Sequence, residues 1–161
     1  MLDGGPDLLD DDTRAFLLGP VSALLGTADA RGVPDVARIG GFAPVDRTTM
    51  RLIVGADATE ARANAAEAGA AVSVLITDIT TYRSWQWKGS VVAWHQRTPG
   101  DLALLHDHVE RFAAAAPSIG LDAAGIRRIF PTEVVALVVS FDALFDQTPG
   151  PSAGRRIGAT P

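Results

Sequence analysis

Residues 80–89 read TTYRSWQWKG and hold two of the chain's three tryptophans, Trp85 and Trp87, with Lys88 beside them. Laid out as a β-strand, the stretch sorts its side chains by parity, because successive residues of a strand point to opposite faces. Trp85, Trp87, Gly89 and Val91 take one face, which is suited to burial, while Ser84, Gln86, Lys88 and Ser90 take the other. The second row carries hydroxyl, amide and ammonium groups. It can serve as a plain solvated face or as a surface that hydrogen-bonds a polar ligand, and the pattern alone is compatible with both.

Outward from this strand, the chain reads as short strands joined by turns. Residues 21–27, 33–45, 50–54, 71–77 and 133–141 have strand character, and with residues 80–96 they make six strands. Gly40 and Gly41 interrupt the second of these, which predicts a bulge or a close backbone approach. A short helix capped by Asp11 or Asp12 takes its apolar contacts from residues 15–18 and is stopped by Gly19 and Pro20. Residues 57–68 are alanine-rich and end at Gly69, so they read as a helix, with Asp57 and Glu60 in the form of a capping box and Thr59 as a rival cap. Residues 102–116 place Leu102, Leu105, Val109 and Phe112 on one helical face. Beyond Phe145 the run QTPGPSAGRRIGATP has no periodicity and reads as an extended or disordered tail. Six strands with hairpin-length connections and no repeated βαβ unit predict an α+β protein with a six-stranded, barrel-like antiparallel sheet. It forms one domain over residues 1–146, followed by a tail over 147–161.

Composition removes several function classes. The 161 residues carry a net charge of -5, which argues against a nucleic-acid partner held by phosphate neutralisation. There is no cysteine, so disulfides, thiolate catalysis and cysteine-ligated metal centres are excluded. The acidic start MLDGGPDLLDDD lacks the form of a secretory signal, and no apolar run has transmembrane length, so a cytoplasmic protein without a membrane partner is expected.

Candidate site residues follow from placement. The turn entering the helix at Asp57 brings together backbone N–H groups, the Thr59 hydroxyl and Arg62, which can form an anion site or an ordinary capped helix end. Arg38 lies among apolar neighbours in the second strand, where a charge needs a partner, a ligand or an opening to solvent. Arg155 and Arg156 are solvated unless the tail folds back. His106 and Glu110, one helical turn apart, can share a metal, but His108 faces elsewhere and His95 lies on a strand, so a structural or solvated role is expected for all three histidines and no metal site is assigned. No nucleophile elbow, Rossmann glycine pattern or phosphate-binding loop is present.

The order and spacing of FLLGPVSALLGTADARGVPDVAR (16–38), RLIVGADATEARANAAEAG (51–69), TTYRSWQWKG (80–89) and FDALFDQTPGPSAGRR (141–156) resemble the pyridoxamine 5′-phosphate oxidase-like family of FMN-binding split barrels. The resemblance covers nearly the whole chain and implies a six-stranded split barrel that forms a homodimer, with a flavin mononucleotide and a small-molecule substrate at each subunit interface. It implies that Thr59 and Arg62 hold the flavin phosphate, that Arg38 faces the cofactor, and that Gln86 and Lys88 meet the partner subunit's flavin. One departure is visible: such oxidases cluster Ser, Arg and Lys at the phosphate end, whereas residues 56–62 read ADATEAR. The implied activity is that of an FMN-dependent oxidoreductase exchanging hydride with its substrate, and no catalytic acid or base is assigned. The alternatives are a non-catalytic flavin- or haem-binding dimer and a deazaflavin-dependent reductase.

Overall fold

Six antiparallel strands close into a barrel in the computed structural model, which describes residues 7–158. They are β1 (Val21–Ala28), β2 (Pro34–Pro44), β3 (Thr49–Gly55), β4 (Ala71–Asp78), β5 (Ser84–Gln96) and β6 (Val134–Asp146), in the order β3-β2-β1-β4-β5-β6, with β3 pairing back onto β6. A short seventh strand, β7 (Arg156–Ile157), adds to the end of β6. The helices are α1 (Asp11–Leu17), α2 (Thr59–Asn64), α3 (Pro99–Ala115) and α4 (Ala123–Arg128).

The tryptophan strand sets the barrel interior. Trp87 is fully buried and its indole N–H donates to the Leu8 carbonyl at 2.9 Å, so the segment before α1 is tied over the core. Trp85, on the same face, is only half-buried, lying 4.8 Å from the Phe16 ring with the Arg83 guanidinium 4.2 Å from its own ring centre. The alternation then breaks: the β5–β6 register shifts between Lys88 and Gly89 and again between Val91 and Ala93. A side chain on Gly89 would run into the Ser140 carbonyl, so only glycine lets β6 pass there.

The Gly40–Gly41 pair is both a bulge and a close approach. The β2–β3 register shifts between Ile39 and Gly41, and a Cβ on Gly41 would lie 2.8 Å from the Leu104 backbone of α3. Through this gap α3 packs on the outside of the barrel, with Leu104 and Leu105 against Ile53, Val134 and Ala136. A second outer cluster joins Val109 and Phe112 of α3 to Ile126 of α4 and to Phe130. Helices therefore cover the outer face of β2, β3 and β6.

At the start of α3, Thr98 and Asp101 form a capping box, and Arg51 of β3 binds both Asp101 carboxylate oxygens at 2.7 Å. Asp101 is buried, and its pKa is lowered to about 2, chiefly by the Arg51 guanidinium and next, in the lowering direction, by the Thr98 backbone. Asp101→Asn is expected to cost about 2 kcal/mol, as for hydrogen bonds to a charged group. A depressed carboxylate contributes stability that is complete above its ordinary pKa and is lost as the pH falls toward 2. Urea titrations should show that acid-side loss in the parent and a smaller one in the variant.

Several elements differ from expectation. The helix expected over residues 57–68 is only Thr59–Asn64, and the Asp57–Glu60 capping box does not form, because the N-cap is Ala58 and its side chain offers no acceptor. The helix expected from residue 102 starts at Pro99, and Leu102 of its predicted apolar face is 36% exposed. The cap of α1 is Asp10, not Asp11 or Asp12. The tail is ordered through residue 158: Asp146 accepts from the Thr148 N–H and the Ser152 hydroxyl, and Gly154 N–H returns to the Asp146 carbonyl, which brings β7 alongside β6. Residues 1–6 and 159–161 lie outside the described part. Among the described residues no helix is long and apolar enough to cross a membrane.

Candidate functional site

Where the helical cover of the barrel ends, a cleft of about 400 Å³ opens between β2, the β3–α2 turn and the segment after α4. Arg38 is part of its wall. Arg38 follows the inward-facing Ala37 and precedes the inward-facing Ile39, so the pleat turns it outward beside the cover. Its guanidinium carbon lies 5.5 Å from the Phe130 ring centre, and among the described residues it makes no hydrogen bond or ion pair. Arg128 also lines the cleft, with Nη2 3.9 Å from Asp122. The acidic residues Asp35, Asp57 and Glu60 line it as well.

Behind Phe130 sits His108, which is 1% exposed. Its ring stands edge-on to Phe130 at 5.7 Å and to Phe42 at 5.3 Å. Neither ring nitrogen has a hydrogen-bond partner, and the buried Nε of Arg111 has none either. Burial first, then the positive charges of Arg111 and Arg38, lower the His108 pKa to about 4, so the ring is neutral at physiological pH. It forms the rigid backing of the ring on which Arg38 rests.

The expected site residues are divided between two places. Thr59 is near the cleft, but its hydroxyl donates to Glu60 at 2.7 Å. Arg62 is exposed and donates to the Ala56 carbonyl at 2.9 Å. Gln86 accepts from Gln147 at 3.0 Å, and Lys88 lies 5.0 Å from the Phe145 ring centre. Strand register puts Arg38 opposite Leu24, Leu24 opposite Leu75, and Leu75 opposite Gln86, so Arg38 and Gln86 share the outer sheet face three strand spacings apart. At about 4.8 Å per spacing they do not meet within one chain. Arg156 donates to the Asp142 carbonyl. His95 and His106 are exposed, and Glu110, the residue that could have shared a metal with His106, is bound bidentately by Arg127 at 2.8 and 2.7 Å. Among the described residues no cluster of three metal-ligating side chains occurs.

Sequence reasoning missed Arg128 and Phe130, and of the structural or solvated role expected for His108 the buried ring takes the structural one. A signal existed for the first two, since Asp122 before AAGIRR has the form of an N-cap and does cap α4 through the Gly125 N–H. Helical phase, which sets His108 on a different face from His106, is the sequence signal that separates the buried ring from the exposed one.

No family model matches the chain, and no curated protein matches it in sequence. Solved structures do match. A histidine-to-alanine variant of HupZ from Group A Streptococcus aligns with a TM-score of 0.53 at 14% identity, over 86% of this chain and 99% of that one. HupZ without that substitution aligns with a TM-score of 0.51 at 17% identity, over 86% and 94%. A putative pyridoxamine 5′-phosphate oxidase from Lactobacillus delbrueckii aligns with a TM-score of 0.47 at 14% identity, over 77% and 83%. The fold shared with the HupZ structures is thus a six-stranded antiparallel barrel closed by β3 on β6, the closed sheet that the sequence predicts.

The donors and charges of the cleft fit one part of flavin mononucleotide and not the other. Arg38, Phe130, Val36 and Ile129 suit a planar ring with carbonyl acceptors. The α2 end does not suit a phosphate, because the Thr59 hydroxyl is committed to Glu60, Arg62 reaches back to the Ala56 carbonyl and does not line the cleft, and Glu60 and Asp57 stand in their place.

Proposed function

We propose that this chain is a homodimeric, flavin-class oxidoreductase that holds the cofactor's ring system in the Arg38–Phe130 cleft. The observation that carries the reading is Arg38: a guanidinium braced on an aromatic ring, in a cleft, without a protein acceptor among the described residues. A cation so placed is ready to bind the acceptor edge of a ring ligand, and its orientation is fixed in advance by Phe130 and the ring of His108 behind it. A bound flavin would supply the hydride chemistry. The chain would orient the ring, satisfy its carbonyls through Arg38, and shield one face with Phe130, Val36 and Ile129.

Dimerisation is supported by the face that the helices leave bare. Leu24 and Leu75 are half-exposed outward residues in adjacent strands, in a row that ends at Gln86 and at Phe145 of β6. A second copy on that face would cover the row and give Gln86 and Lys88 a cleft to serve. The test is a flavin titration of parent and Arg38→Ala proteins, with the molar mass measured in parallel by sedimentation. Loss of one charge-assisted contact should weaken flavin binding by roughly tenfold or more. Unchanged affinity would reject Arg38 as the anchor, and a monomer would reject the shared site.

One observation favours a second reading. The committed Thr59 hydroxyl and the acidic lining of the α2 end suit a dimer that binds a ring compound without turning it over, and a bound flavin that no substrate reoxidises or reduces would decide for it.

A further inference from the structure

The α2 end of the cleft offers acid where an anion would need donors. Three amides of the turn are spent: Ala56 N–H on the Glu133 carbonyl at 2.8 Å, Ala58 N–H on the Gly55 carbonyl at 3.1 Å, and Thr59 N–H on the Asp57 carbonyl at 2.8 Å. The Thr59 hydroxyl and then Glu60's own N–H hold the Glu60 carboxylate, and both lower its pKa. An internal carboxylate therefore takes the donors that a phosphate would use. Asp35 and Asp57 add two more negative charges to the same wall, while of the two cleft arginines Arg128 already faces Asp122. A phosphomonoester brings two negative charges and acceptor oxygens only, so at this end it would face the acidic residues Asp57 and Glu60, while Arg62, the one cation of α2, stands outside the cleft lining. A neutral ribityl chain brings hydroxyl donors, which suit carboxylates.

We infer that Glu60 and Asp57 close the phosphate place at the β3–α2 turn, and that the cleft takes a flavin without a terminal phosphate in preference to flavin mononucleotide. The inference rests on the flavin reading above, and it assigns Glu60 and Asp57 as specificity-determining residues. Both are exposed, so neutral isosteres there leave the core untouched.

The test titrates the full chain with riboflavin and with flavin mononucleotide, following flavin fluorescence at low and high salt. Riboflavin should bind at least as tightly as the mononucleotide, and added salt should strengthen mononucleotide binding by screening the repulsion. In the double variant Asp57→Asn, Glu60→Gln the affinity ratio should move toward the mononucleotide by roughly tenfold. Arg38→Ala should weaken both flavins and leave the ratio in place. A parent protein that prefers the mononucleotide, or a ratio unmoved in the double variant, overturns the inference. Binding of neither flavin overturns the cofactor reading itself.

Discussion

Trp87→Ala is expected to lower stability by about 3–5 kcal/mol, the usual range for truncating a buried large aromatic residue. The indole is fully buried, with Trp85 and Phe141 at ring-centre distances of 6.2 and 6.3 Å. Truncation removes that burial and leaves a cavity that the closed sheet cannot collapse around. It also strands the Leu8 carbonyl, whose partner is the indole N–H, and so releases the segment leading into α1. Domains of this size have a total stability of about 5–15 kcal/mol, so the change consumes a large part of it. The urea midpoint should fall sharply. Trp87→Phe keeps most of the packing and loses the hydrogen bond, so it should fall between the two; an alanine variant with a parental midpoint would show that the barrel does not depend on this strand.

The second large effect is a loss of stability in mild acid caused by His108. A histidine whose pKa is lowered to about 4 in the fold stays neutral there, while the unfolded chain binds a proton below its ordinary value of 6.5. Between these limits the unfolded state holds more protons, so stability falls as the pH falls from 6.5 toward 4. The shift corresponds to about 3 kcal/mol across that window. The groups facing the ring give the proton no welcome: Arg111 comes from its own helix, Arg38 from β2, and Phe42 and Phe130 flank it. His108→Leu should flatten the profile between pH 6.5 and 4 while leaving the Asp101 loss at lower pH. A parent profile that is already flat there would contradict the buried, partnerless ring.

Much of the fold was legible because the barrel depends on local alternation. Trp85, Trp87 and Val91 marked a buried face, and the Gly40–Gly41 pair marked the place where α3 crosses β2. The limits of that reading are equally local. Alternation cannot foresee the two bulges of β5, which return Trp94 to a partly buried place where its N–H meets the Ala65 carbonyl at 2.8 Å. Alanine content predicted α2 too long, since propensity does not show that Asn64 turns to the Thr27 hydroxyl and the helix ends there. The tail read as extended or disordered because its order comes from Asp146, whose acceptors organise the glycines and prolines after it. The site was less legible still. Arg38 stood out as a charge among apolar residues, but its ring support comes from Phe130, 92 positions away in the chain, and the commitment of Thr59 to Glu60 is a matter of side-chain geometry.

The central claim is that the Arg38–Phe130 cleft holds a flavin ring, and the most direct measurement is the absorbance spectrum of the purified protein before and after incubation with riboflavin and removal of the excess. A retained flavin band, bleached by dithionite and lost in Arg38→Ala, is the predicted result. A parent protein that stays colourless after incubation, or one that carries a Soret band in place of the flavin band, would contradict it.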